Sequence, residues 1–215
     1  MAGSDERRDA MVREQLEARG ITDTRVLDAF AAVPRDRFVT EHDQAAAYED
    51  HPLPIGGGQT ISQPYIVALM AEALLLTPAD HVLEVGAGSG YAAAILSCLA
   101  HDVVAVERVP ELAASASRRL AALGYDNVVV MAGDGSTGVA EAAPFDAICV
   151  SASAPRVPRA LVAQLAPGGR LVVPVGSPDE QQLVRVRMVE PGRARTQRLG
   201  AVRFVPLVGE QGWQV

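Results

Sequence analysis

The 215-residue chain has no lysine; all 19 of its basic residues are arginines. Schiff-base chemistry, lysine nucleophiles and the lysine of a P-loop are therefore excluded before any motif is considered. Basic charge is scarce as well, with 19 Lys+Arg against 26 Asp+Glu and a net charge of −7. That is the wrong sign for a protein that grips nucleic acid by its phosphates. There are only two cysteines, Cys98 and Cys149, both in apolar runs (AILSCLA and DAICVSA). They are expected as small core residues in a reducing compartment rather than as a disulfide. The scattered histidines His42, His51, His81 and His101 form no pair at ligand spacing, so no metal is expected. Long hydrophobic runs are missing too. The run over residues 66–77 is interrupted by Glu72 and is too short to cross a bilayer. The amino terminus, MAGSDERRDAMVREQ, lacks the apolar segment of a signal peptide. Together these absences predict a soluble, cytoplasmic protein with neither a membrane nor a nucleic-acid partner.

What remains is ordinary globular composition, 49% hydrophobic and 21% charged, in a length that suits one domain with additions. Three zones are visible, at residues 1–77, 78–176 and 177–215. In the first, residues 4–19 predict a helix closed by Gly20, and residues 23–33 a second helix stopped by Pro34. Residues 52–64, PLPIGGGQTISQP, are expected to be an irregular loop, and residues 65–76 a third helix. In the second zone, short apolar runs at 81–85, 103–107, 127–131, 146–150 and 170–175 alternate with helical stretches at 92–99, 110–123 and 159–165. Strands that are apolar throughout, alternating with helices, imply a parallel sheet covered on both faces. In the third zone, residues 183–189 and 201–208 predict an antiparallel pair of strands. The expected fold class is α/β: a mostly parallel, seven-stranded sheet with helices on both faces and an N-terminal helical cap.

The strongest chemical signal is VLEVGAGSGYAAAIL (residues 82–96), a buried strand that runs into Gly86, Gly88 and Gly90 and then a helix. Glycine lets the backbone turn tightly and a ligand approach closely, and the helix N-terminus offers free N–H groups. Dinucleotide, flavin and S-adenosylmethionine enzymes all use such a turn, so the spacing must separate them. The pattern here is GxGxG rather than GxGxxG, which argues against a pyrophosphate fingerprint. Glu84 lies inside the strand, an ill-suited place for an acid beside a diphosphate but a suitable one beside a cation. Glu107 ends the next strand, where an acid can accept two ribose hydroxyls. The third strand leads into Gly133-Asp134-Gly135, a turn at the same sheet edge that suits an adenine contact. A cap or a surface turn is the plainer role for either acid.

These residues carry a resemblance. EVGAGSGY, Glu107, GDG and LAPGGRLVVPVG (residues 165–176) resemble the S-adenosyl-L-methionine motifs of a Rossmann-like class I methyltransferase. MVREQLEARGI, VPRDRFV, YEDHPLPIG and above all GQTISQPYIVA resemble the protein-L-isoaspartate O-methyltransferases. The likeness continues through SASAPRVP to VRFVPLVGEQGW and covers nearly the whole chain. It implies one methyltransferase domain over 1–215, with a helical cap and substrate loop (1–77), a cofactor-binding core (78–176), and C-terminal strands with a lid (177–215). It implies S-adenosyl-L-methionine as cofactor and, as substrate, proteins or peptides methylated on the free α-carboxylate of an L-isoaspartyl residue. The ester then closes to a succinimide that hydrolyses partly to normal aspartate. By the same resemblance Ser62 matches the catalytic serine, with Thr60 beside it. Gln59, Tyr65, Glu84, Gly86, Gly88, Glu107, Asp134 and Gly135 are implied as cofactor contacts, and Ile61, Ser151 and Val208 as substrate contacts. A monomer is expected.

The residues agree with that chemistry. A carboxylate with a pKa of about 4 is already ionised at neutral pH, so methyl transfer needs no general base. It needs an oxygen held in line and stripped of water. Ser62 reads as a positioning donor: no GxSxG surrounds it, and capping the next helix is the simpler role. One departure stands out, Gly57, where the family usually carries histidine or an aromatic residue. An alternative reading is therefore a methyltransferase dedicated to an aspartyl carboxylate of one natural-product peptide. A non-catalytic binding module and a Rossmann-type oxidoreductase fit less well. The arginines Arg185, Arg187, Arg193, Arg195, Arg198 and Arg203 are expected on a solvated strand face, with substrate steering as the other role.

Overall fold

The computed structural model describes residues 3–190 and 192–214. Helix α1 (Ser4–Ala10) continues as a π turn over Met11–Leu16 and a 3-10 turn over Glu17–Arg19, and Gly20 closes it at φ +95°. The wider turn lets Met11 and Leu16, five residues apart, both reach the core. Helix α2 (Thr24–Ala32) starts at Asp23, whose side chain accepts the Arg25 N–H. Strands β1 (Leu53–Gly56) and β2 (Gln59–Ile61) then pair antiparallel, which corrects the irregular loop expected over 52–64. Gly56, Gly57 and Gly58 supply the positive φ angles of the turn, and a two-stranded ribbon is all edge, where Pro54 is tolerated. Helix α3 (Pro64–Leu74) follows with proline in its first turn, where no N–H is missed.

The α/β core comprises β3 (His81–Val85), α4 (Tyr91–Ser97), β4 (Asp102–Glu107), α5 (Pro110–Ala122), β5 (Val128–Ala132), β6 (Phe145–Val150), α6 (Arg159–Ala163) and β7 (Leu165–Gly176). Strands β8 (Gln181–Glu190) and β9 (Arg193–Val202) complete a seven-stranded sheet of order β5-β4-β3-β6-β7-β8-β9. It is parallel from β5 to β7, while β8 and β9 run antiparallel. The expected antiparallel pair is present, but its second member is β9 and not 201–208. Strand β9 is a sheet edge exposed along most of its length, so it has no apolar face to read. Residues 203–208 instead run across the carboxyl edge of the sheet, where Ser153 donates to the Val205 carbonyl and Leu207 donates to the Ser153 carbonyl, both at 2.8 Å.

Strand side chains alternate between two apolar layers. Val82, Ala105, Ala147 and Cys149 join the helical cap, α3 and α4 in one, while Leu83, Val85, Ile148 and Val150 join α6 in the other. Cys149 is buried as expected, whereas Cys98 is exposed, because α4 ends there and turns the side chain out of the layer. The carbonyl end of α3 is held by arginines. Arg170 donates to the Leu74 and Leu75 carbonyls and to Asp80, Arg185 to Ala73 at 3.1 Å, and Arg25 to Leu76 at 2.6 Å. Guanidinium groups suit the orphan carbonyls and negative end of a helix, and this anchors the helix that begins beside Ser62. Arg185 thus departs from the solvated face expected of it, while Arg187 is exposed. Among the described residues no helix is long and apolar enough to cross a membrane.

Candidate active site

The site lies beyond the carboxyl ends of β3, β4 and β6, where the sheet order reverses and open α/β sheets bind ligands. Gly86, Gly88 and Gly90 all take positive φ (+89°, +54° and +88°), a conformation that side chains disfavour. The Glu107 carboxylate ties this turn to the next one, accepting the Gly88 and Val109 N–H groups at 2.9 Å each. The β1–β2 hairpin folds across the turn so closely that a Cβ on Gly88 would stand 3.1 Å from Ile55. Its tip lies over the start of α5, where a Cβ on Gly57 would meet Leu112 and Val109 at 3.6 and 3.7 Å. That is ordinary contact distance, so the missing side chain at Gly57 leaves the hairpin seated.

Glu84 is fully buried. Ser151 donates to its Oε1 at 3.4 Å, and Oε2 has no partner among the described residues. Burial pushes this carboxyl up to about 8, against the weak Ser151 bond and with help from nearby Glu107. A carboxyl inside a strand, on a cavity wall and with one oxygen unclaimed, is suited to a cationic donor, whose charge favours its ionised form.

Three cavities meet here. One opens over Glu84 and Tyr91, one over Glu107, Gly135 and Val208, and the third, a wider cleft, outside the hairpin beside Gln63, Arg203 and Phe204. Thr60 and Ser151 line all three, and Ser62 stands between the first and the third. An elongated cationic ligand can therefore lie over Gly86 and Gly88 from Glu84 to Glu107, with the outer cleft meeting it at a wall of hydroxyls.

Most of the expected residues come together at this junction. Gln59 lines the Glu107 cavity and bonds the Gly57 carbonyl at 3.3 Å. Ile61 and Val208, expected against substrate, line the Glu84 and Glu107 cavities respectively. Tyr65, expected against cofactor, is on none of these walls; its ring lies 3.6 Å beneath the Arg19 guanidinium. Asp134 is also absent from the walls. Its carboxylate caps its own turn through Ser136 N–H (2.9 Å) and holds the tail through Glu210 N–H (2.8 Å). Gly135 beside it does line the cavity, and a Cβ there would lie 2.6 Å from Val85. Phe204, Gln63 and Tyr91 are wall residues that sequence reasoning missed; Gln63, next to Ser62, is the one that its position could have revealed.

The fit to S-adenosyl-L-methionine rests on this donor set: an unclaimed buried carboxylate oxygen for a positive charge, the Glu107 carboxylate for hydroxyls, and an apolar far end at Gly135 and Val208. Comparison with known proteins gives the same direction. The family model for protein-L-isoaspartate(D-aspartate) O-methyltransferase matches residues 6–212. "Protein-L-isoaspartate O-methyltransferase 2" of Marinobacter nauticus is 58% identical over 211 residues, 98% of this chain and 96% of the relative. The protein-L-isoaspartate O-methyltransferase of Protochlamydia amoebophila is 56% identical over 95% of this chain and 98% of its own. A solved protein-L-isoaspartate O-methyltransferase is 31% identical with a TM-score of 0.84, covering 95% of this chain and 66% of that one. A Plasmodium falciparum structure of the same name, in complex with S-adenosyl-L-homocysteine, gives 28% identity and a TM-score of 0.82, covering 94% of this chain and 98% of that one. Since the match takes in the helical cap, the hairpin and the tail as well as the glycine-rich core that many methyltransferases share, the chain belongs to the protein-L-isoaspartate O-methyltransferase family.

Proposed function

We propose that this chain transfers a methyl group from S-adenosyl-L-methionine to the free α-carboxylate of L-isoaspartyl residues in proteins and peptides. The observation that carries this reading is the placement of Thr60 and Ser62 on the wall between the Glu84 cavity and the outer cleft. The cofactor supplies a methyl group made electrophilic by its sulfonium. Glu84 holds the positive end of the bound cofactor, Glu107 takes its ribose hydroxyls, and Gly135 and Val208 flank its base. Ser62 and Thr60 donate to the substrate carboxylate and aim one oxygen, while Ile61 and Phe204 keep water from the junction. Stripping that oxygen of water and fixing its direction is the whole of the task, because the nucleophile is already ionised. No observation favours an enzyme dedicated to one natural-product peptide. The test is incubation with radiolabelled S-adenosyl-L-methionine and two versions of one short peptide, carrying Asp or L-isoAsp. Base-labile label on the isoaspartyl peptide alone is expected; label on neither, with the cofactor still bound, would refute the reading.

A further inference from the structure

We propose that Asp50, braced by Arg19, is a positioning residue: it holds Gln63 and through it sets where the Ser62 hydroxyl stands between the two cavities. The inference rests on the methyl-transfer reading above. The hairpin that carries Thr60 and Ser62 has only two short strands and a tip of three left-handed glycines. A ribbon of that kind has little stability of its own, so its place is decided by its two stems. Asp50 sits at the incoming stem and Gln63 at the outgoing one. The Gln63 Nε2 donates to both the Asp50 carbonyl (3.0 Å) and the Asp50 Oδ2 (2.7 Å). The same Oδ2 accepts from Arg19 Nη1, and the Arg19 guanidinium covers the Tyr65 ring, two residues beyond Gln63. One carboxylate oxygen therefore ties the end of the first helix, the entry to the hairpin and the start of α3 into a single point. Gln63 also begins α3, its carbonyl accepting the Ile66 and Val67 N–H groups at 3.1 and 3.2 Å.

Neither Arg19 nor Asp50 lines any of the three cavities, whereas Gln63 lines the outer cleft and Ser62 two of the three. Gln63 is the member of this tie that reaches a cavity wall, so it is the direct route by which Asp50 acts on turnover. The Arg19–Asp50 pair is also poorly placed to serve stability, with side chains 42% and 26% exposed, a setting in which ion pairs contribute little. What the pair does supply is geometry at a site where displacement of a reacting group by about 1 Å can cost as much as a hundredfold in rate.

The experiment compares wild type, Asp50→Ala, Asp50→Asn, Gln63→Ala and the Asp50→Ala/Gln63→Ala double variant on an isoaspartyl peptide, with cofactor affinity and melting temperature measured alongside. Asp50→Ala is expected to lower kcat about tenfold, with cofactor affinity and melting temperature close to wild type. Asp50→Asn, which keeps an acceptor for Gln63, should recover part of that loss. The double variant should be no slower than Gln63→Ala alone, the mark of two residues acting through one path. Should Asp50→Ala fail to fold, Arg19→Gln at the surface end of the same tie gives the read-out. Turnover within twofold of wild type, a fall in melting temperature that tracks the loss of kcat, or multiplied losses in the double variant would each overturn the proposal. A wild-type chain that labels no isoaspartyl peptide would overturn the methyl-transfer reading and this one with it; wild-type activity with an unimpaired Asp50→Ala overturns this one alone.

Discussion

Replacing Glu84 with glutamine isolates the buried carboxyl at the centre of the site. In the ligand-free protein burial raises this group from an ordinary 4.5 to about 8. At about 1.4 kcal/mol per tenfold change in proton affinity, that displacement makes ionising Glu84 in the folded state costlier by about 5 kcal/mol than in the unfolded chain. Between these two values the folded protein binds more protons than the unfolded one, so stability must fall as pH rises through the window. The contribution is fully present below 4.5 and is lost by about 8. Urea unfolding at about pH 5.5 and about pH 8.5 should therefore show wild type losing about 3 kcal/mol more than Glu84→Gln, which keeps the shape but cannot ionise. A cationic cofactor changes the balance, because its charge favours the ionised carboxylate. Binding at about pH 7 should then release about one proton per site, seen by calorimetry in two buffers of different ionisation enthalpy, and Glu84→Gln should abolish the release. Parallel pH–stability curves for the two proteins, or binding without proton release, would refute the reasoning.

Three further outcomes are expected. Ser62→Ala removes one hydrogen bond to a charged oxygen, worth about 1.5–3 kcal/mol, so kcat should fall by about tenfold to a hundredfold, with cofactor affinity unchanged by titration of the Trp213 fluorescence. Gly135→Ala places a Cβ 2.6 Å from the Val85 side chain; calorimetry should show a loss of about 1–3 kcal/mol in stability, and titration a weaker affinity for the cofactor. Arg170→Met strips the Leu74 and Leu75 carbonyls and Asp80 of their common donor. Denaturant titration should show a loss of about 3–5 kcal/mol, as for a broken buried pair, while turnover at low temperature survives.

Strands β3, β4 and β6 were legible because they are buried on both faces and so read as apolar runs, and β5, an edge with Val129 exposed, because its three valines favour a strand. The side of the sheet that Glu84 faces is legible too, since Val82 and Glu84 share a parity that Leu83 and Val85 do not. The hairpin was hidden because its glycines and prolines, read one by one, are breakers; only together do three positive φ angles make a turn. Strand β9 was hidden for the opposite reason: as an edge it needs no apolar alternation, and its arginines protect it from further pairing. The roles of Tyr65 and Asp134 depend on what stands opposite each of them. Sequence spacing brings Tyr65 next to the site, but Arg19, at the end of the first helix, claims its ring. Asp134 likewise lies in the right turn, and the tail occupies its carboxylate.

The tail has a consequence for the order in which the site is built. Residues 201–208 wall the outer cleft and the Glu107 cavity. They are fastened by the Ser153 carbonyl, which also accepts from Trp213 Nε1 at 2.9 Å, and by Asp134 and Ser136, which take the Glu210 and Gln211 N–H groups at 2.8 and 3.0 Å. Synthesis runs from the amino end, so the hairpin, the glycine-rich turn and both acids exist while this wall does not. A ribosome-bound chain stalled before residue 203 would carry Glu84 and Glu107 in an open trough, unable to exclude water. The tail adds that wall, and the single tryptophan, whose Nε1 docks on the Ser153 carbonyl, reports its arrival.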